Sequence, residues 1–183
     1  MPILSIIIPV FNERSTVETL INKLKAVVFP GPVELIIVDD GSTDGTVEVL
    51  KQLSGIDVVL YHDYNQGKGM AIRTGLVKAS GEYVVIQDAD LEYDPNDLAI
   101  MLQEMIDRGL SVLYGSRNLL HGRNKSAGLT YYTGGVFLSW LTNILYGQKI
   151  TDEPTCYKML NWSIRCLAGC FDFNKMPIIF KEK

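Results

Sequence analysis

The sequence predicts an α/β domain with helices on both faces of a mostly parallel sheet. Short β-branched runs recur along the chain, of the continuous apolar kind that parallel sheets bury on both sides. Between them lie amphipathic stretches, and strand–helix alternation of this sort implies crossover connections that return each strand parallel to the last. Polar clusters follow the strands, at the end where open α/β sheets hold their ligands.

The first strand is "ILSIIIPV", residues 3–10. A helix over 15–28 follows, placing Val17, Leu20, Ile21, Leu24 and Val28 on one face, with Asn12 or Ser15 as its cap. Next come "ELIIVDD" at 34–40 and a helix over 44–53, capped by Ser42 or Asp44, with Val47, Val49, Leu50 and Leu53 as its apolar positions. "DVVLYH" at 57–62 leads to a helix over 68–79. "EYVVIQDAD" at 82–90 leads to a helix over 95–108, whose Pro95 suits a first turn. "LSVLYGS" at 110–116 is the fifth strand.

At 183 residues, 47% hydrophobic and 21% charged, the chain suits one globular domain spanning 1–183, and no linker or repeat divides it. A net charge of -4 without a basic patch argues against a nucleic-acid partner. Cys156, Cys166 and Cys170 lack metal-site spacing and read as reduced core thiols. "MPILSIIIPVF" has neither a basic leader nor a cleavage site, so a cytoplasmic location is expected. Residues 125–147 form an aromatic-rich, nearly uncharged stretch, either a buried helix or one lying at a membrane interface behind Arg123 and Lys125. Glycines and polar residues interrupt it, which disfavours a spanning helix.

Candidate chemistry gathers at the strand ends, in "FNE", "DDGSTDGT", "DADLE" and "GSR". Each alone could be a turn, but four on one rim exceed what turns require. In an extended segment, Asp88 and Asp90 would project the same way, and two carboxylates facing one point suit a divalent cation. All-oxygen ligation favours Mg2+ or Mn2+, bridging the acids to a phosphate ester. "NQGKGMA" opens a helix with Lys68 and small residues, a place for an anion, although it fits neither the P-loop nor the dinucleotide fingerprint.

Six ordered motifs, "PVFNE" (9–13), "VDDGSTDGT" (38–46), "NQGKGMAIRTG" (65–75), "QDADLEYDP" (87–95), "GSR" (115–117) and "TDEPTCYK" (151–158), together resemble glycosyltransferase family 2. The branch most similar contains dolichyl-phosphate mannose synthase and the polyprenyl-phosphate glycosyltransferases. The resemblance implies a GT-A fold, a Rossmann-like sheet binding a UDP- or GDP-linked sugar. It assigns the nucleoside to Pro9, Phe11 and Glu13, and the base and ribose to Val38, Asp39 and Asp40, with Asp88 and Ala89 continuing that pocket. Asp90 would hold the metal on the diphosphate, and Glu92 stands as a second ligand where relatives often have glutamine. Arg117 would meet the phosphate of a lipid acceptor, and Lys158 a phosphate or only the surface. The implied reaction is a single inverting displacement at the anomeric carbon. A lipid phosphate acceptor needs little base assistance; a sugar hydroxyl acceptor would need one, and Asp152 is then the candidate, or else a helix cap before Pro154.

That acceptor would place the protein at the inner face of a membrane, and a homodimer is compatible with the resemblance. Two features depart from the family: Cys156 stands where glycine is frequent, and relatives continue beyond "CFDFN" where this chain ends at "KMPIIFKEK", so a missing C-terminal part is expected. A nucleotide-sugar-binding remnant without turnover and transfer to a saccharide are the rival readings. A phospho-receiver domain shares the acidic spacing of Asp39, Asp40 and Asp88, but a strand precedes its acidic pair here and the lysine after strand five is missing.

Overall fold

A computed structural model describes residues 1–115, 144 and 157–162. In chain order the elements are β1 (Leu4–Val10), α1 (Val17–Ala26), β2 (Val33–Asp39), α2 (Thr46–Gln52), β3 (Val58–Tyr61), α3 (Lys68–Lys78), β4 (Tyr83–Ile86), α4 (Asn96–Arg108), β5 (Val112–Tyr114) and β6 (Lys158–Asn161). The six strands form one sheet in the order β3-β2-β1-β4-β6-β5. β1 pairs in parallel with β2 and β4, and β2 with β3. β6 alone runs against its neighbours β4 and β5. The mostly parallel α/β architecture is therefore as expected.

Period-two alternation sorts the strand side chains between two layers. Ile6, Ile8, Leu35 and Ile37 face a core completed by Val17, Leu20, Ile21 and Leu24 of α1, Leu50 of α2, and Leu98, Met101, Leu102 and Met105 of α4. Ile7, Ile36, Val38 and Val84 face the other side, where Ala71 of α3 covers them. Helices thus lie on both faces, three on one and α3 on the other. α3 comes close because it has Gly75 at the contact: a Cβ there would stand 2.6 Å from Ile7 Cγ2 and 3.3 Å from Val38 Cγ2.

Three local expectations need correction. Neither Asn12 nor Ser15 caps α1, whose N-cap is Thr16 without a side-chain bond. Asn12 Oδ1 instead accepts the Thr43 N–H at 2.9 Å, while Ser42 Oγ accepts the Asn12 N–H at 2.9 Å. These two predicted caps therefore fasten the β1–α1 loop to the β2–α2 loop. The fourth strand stops at Ile86, so Asp88 and Asp90 lie beyond it. β6 was not foreseen as a strand. Among the described residues no helix is long and apolar enough to cross a membrane. Arg117, Asp152, the stretch 125–147 apart from residue 144, and all three cysteines lie outside the described residues.

Candidate functional site

Because β2, β1 and β4 are adjacent and parallel, their carboxyl ends open side by side, and β1 sits where the order of connection reverses. That is the ligand position of open α/β sheets. A cleft of about 250 Å³ lies there. Pro9, Val10, Phe11 and Glu13 line it from the end of β1, Asp40 from the end of β2, Asn65, Lys68 and Ala71 from the entry to α3, and Asp88, Ala89 and Asp90 from beyond β4. Eight predicted site residues thus meet in one place: Pro9, Phe11, Glu13, Asp40, Lys68, Asp88, Ala89 and Asp90.

Asp40 is the best-held of these. It is 2% exposed, and its carboxylate accepts the N–H groups of Gln66 at 2.9 Å and Gly67 at 2.7 Å and the His62 ring at 2.6 Å. Burial pushes its carboxyl up, but the Gln66, His62 and Gly67 bonds outweigh that and hold it below the ordinary aspartate value. The approach of these two loops depends on Gly41, at φ +76, where a Cβ would stand 2.6 Å from the Tyr64 carbonyl carbon. His62 in turn bonds Thr74 Oγ1 of α3 through Nε2 at 3.0 Å.

Asp88 pairs with Lys68, Nζ to Oδ1 at 2.6 Å. Asp90 is exposed, and its Oδ1 accepts the Glu92 N–H at 3.1 Å, closing a tight turn in which Leu91 adopts φ +63. The two aspartates therefore share the cleft through this turn and not through the extended spacing first expected. Glu92 itself is exposed and outside the cleft lining.

Other predicted residues sit elsewhere. Val38 is buried in the core under α3. Asp39 is 1% exposed and outside the lining: Oδ2 accepts the Ser42 N–H at 3.0 Å, and Oδ1 has no partner among the described residues. Lys158 opens β6 with its ammonium 5.2 Å from the centre of the Tyr114 ring.

Among the described residues no three carboxylate, imidazole or thiol side chains converge as a metal site. The donor set still fits a hard cation that keeps much of its water, since Asp88 and Asp90 offer only oxygens. The charge of the cleft fits too. Glu13, Asp40, Asp88 and Asp90 face it against Lys68, an arrangement that repels a diphosphate unless a cation accompanies it.

Sequence reading missed Val10, Asn65 and Ala71 in the lining. Asn65 heads the "NQGKG" motif and could have been chosen; Val10 and Ala71 carry no chemical signal of their own. It also missed His62, Gln87 and Tyr157, which hold the site from behind. Their partners are distant in sequence, 70 residues in the Tyr157–Gln87 case, and no local pattern reveals them.

Comparison with known proteins shows the family and the fold. The chain is 30% identical over 168 residues to UDP-N-acetylglucosamine–dolichyl-phosphate N-acetylglucosaminyltransferase of Methanococcus voltae, a match covering 82% of this chain and 66% of that protein. It is 34% identical over 175 residues to dodecaprenyl-phosphate galacturonate synthase of Rhizobium johnstonii, covering 88% of this chain and 48% of the relative. The chain thus spans from about half to about two thirds of the length of these relatives. Among solved structures, glucosyl-3-phosphoglycerate synthase of Mycobacterium tuberculosis in complex with UDP superposes with a TM-score of 0.66 at 25% identity, covering 89% of this chain and 58% of that one. Its complex with Mn2+, UDP and glucosyl-3-phosphoglycerate superposes with a TM-score of 0.64 at 22% identity, covering 89% and 58%. The glycosyl transferase family 2 profile matches residues 5–175, which takes in every strand end that builds the cleft, and the chain belongs to that family.

Proposed function

We propose that the chain belongs to an inverting glycosyltransferase that transfers a sugar from a nucleoside-diphosphate sugar to a polyprenyl or dolichyl phosphate, assisted by Mg2+ or Mn2+. The observation that carries this is the convergence of Pro9, Phe11, Glu13, Asp40, Lys68, Asp88 and Asp90 on one cleft at the sheet's switch point. Both curated relatives are named for polyprenyl-type phosphate acceptors, and the first for a UDP-sugar donor, which supports the substrate class.

In this reading Phe11, 43% exposed at the cleft mouth, offers a flat apolar face to a base. Asp40, fixed by its three donors, is an acceptor that cannot swing away from a nucleoside hydroxyl or ring N–H. Asp88 and Asp90 would hold the cation, which when bound neutralises the charge developing on the departing diphosphate. Lys68, paired with Asp88 at the cleft, would offer its ammonium to a phosphate oxygen of the donor. Arg117 meets the acceptor phosphate, which is already an anion at neutral pH; Asp152 becomes the base if the acceptor is a saccharide hydroxyl. Association with a membrane surface follows from the lipid acceptor.

Calorimetry with UDP- and GDP-sugars tests the reading. Wild type should bind at least one of them in the presence of Mn2+ and far more weakly in EDTA. Asp90→Ala should abolish the metal-dependent part while leaving the circular dichroism spectrum unchanged. Equal affinity for wild type and Asp90→Ala, with and without Mn2+, contradicts the assignment.

A further inference from the structure

We propose that Tyr157 is a positioning residue for the acidic loop beyond β4, setting the geometry of Asp88 and Asp90 without touching the donor. The proposal rests on the donor-site reading above. Tyr157 is 2% exposed, lies just before β6, and is not among the residues lining the cleft. Its hydroxyl donates to Gln87 Oε1 at 2.6 Å and lies 3.1 Å from the Asp94 carbonyl oxygen. Gln87 is fully buried, and its Nε2 donates to the Asp88 carbonyl at 2.9 Å. One phenolic hydroxyl therefore sits between the two ends of the segment 87–94, with its proton on Gln87 Oε1 and the Asp94 carbonyl beside it, and the same glutamine fixes the first backbone carbonyl inside the segment.

The ends of this loop are where its geometry is decided. Gln87 N–H donates to the Ile7 carbonyl at 2.9 Å, continuing the sheet ladder, and the Asp94 side chain accepts the Asn96 N–H at 3.0 Å at the start of α4. Between those anchors the chain must place Asp88 and Asp90 in the cleft while holding Leu91 at φ +63, a left-handed conformation that a leucine adopts only under constraint. Such a turn persists only if its surroundings over-determine it. The ring of Tyr157 packs on Tyr93 with centroids 4.5 Å apart, so the phenol grips the loop by its face as well as by its hydroxyl. Core packing needs the ring; the bonds to Gln87 and Asp94 need the oxygen. Removing the oxygen alone separates the two roles.

Tyr157→Phe should lower the affinity for UDP or GDP measured with Mn2+ by about 10–100-fold, the range seen when residues that orient metal ligands are lost. Gln87→Met, which removes the same bond from the other side and the bond to the Asp88 carbonyl with it, should weaken binding at least as much, and the double variant should be little worse than Gln87→Met alone, because the Tyr157–Gln87 linkage is then already broken. Leu102→Ala serves as the control for stability, being a fully buried apolar position of α4 outside the cleft lining. If the hydroxyl only stabilises the fold, calorimetry of Tyr157→Phe will show fewer binding sites per chain with an unchanged Kd, as for Leu102→Ala, and the proposal is overturned. Failure of wild type to bind either nucleotide with Mn2+ overturns the donor-site reading instead, and this inference with it.

Discussion

His62 shows how a single side chain beyond the cleft can govern one within it. Its side chain is 9% exposed, and its two ring nitrogens face Asp40 and Thr74. With Nδ1–H donating to the carboxylate, a neutral ring accepts the Thr74 hydroxyl, so one imidazole joins the end of β2 to α3. His62→Ala removes one of the three donors described for a nearly fully buried carboxylate and leaves the Thr74 hydroxyl without its imidazole acceptor. Losing a partner to a buried charged group costs about 1.5–3 kcal/mol, and urea unfolding at neutral pH should report a loss of that size. His62→Gln, whose amide can still donate, should recover part of it. Unchanged stability in His62→Ala would show that the two backbone N–H groups suffice to hold Asp40.

Among the elements, α3 is the most sharply constrained, and Gly75 is the reason. Alanine is the better helix former by roughly 1 kcal/mol, so Gly75→Ala would be stabilising on an open helix face. Here the new methyl would meet the branched carbon of fully buried Ile7, which has no free rotamer to retreat into. Overpacking of a dense core costs about 1–3 kcal/mol, so the net change should be a modest loss of stability, visible as a lower urea midpoint. Since α3 also carries Lys68 and Ala71 into the cleft, a weaker affinity for nucleotide should accompany it. Elements of this kind were legible from sequence because their signals are local: a β-branched run, an apolar face, a glycine. β6 was not, being four residues long, with polar Lys158 and Asn161 at its two ends, and paired antiparallel with strands remote in sequence. The turn carrying Asp88 and Asp90 was hidden for a related reason. "VVIQDAD" continues the strand pattern, and only the bonds of Gln87 and the left-handed Leu91 show where the strand ends. Both acids were expected at this rim on a wrong local geometry, because either geometry delivers them to the same place.

At the scale of the molecule, carboxylates anchor both ends of the sheet, and this makes stability depend on acid in a predictable direction. At the amino end, Glu34 accepts from the Ser5 and Ser80 hydroxyls and from the N–H groups of Ser80 and Gly81, joining β1, β2 and the approach to β4. Burial raises its carboxyl, but these bonds prevail and hold it below the ordinary 4.5. At the carboxyl end, Asp40 is held below the ordinary 3.8 by the donors already described. A carboxyl whose folded pKa is depressed binds protons more readily when unfolded. Its contribution to stability is therefore complete above the unfolded value and is lost as pH falls through the folded one. Unfolding free energy measured by urea should thus be flat on this account near neutrality and decline as pH drops below about 4.5. Glu34→Gln should flatten part of that acid decline while leaving nucleotide affinity at neutral pH unchanged, because Glu34 lies at the opposite end of the strands from the cleft. Asp40→Asn should flatten it also, but with loss of nucleotide binding. Parallel acid profiles for wild type and Glu34→Gln would mean that the unfolded chain already holds Glu34 as tightly as the sheet does.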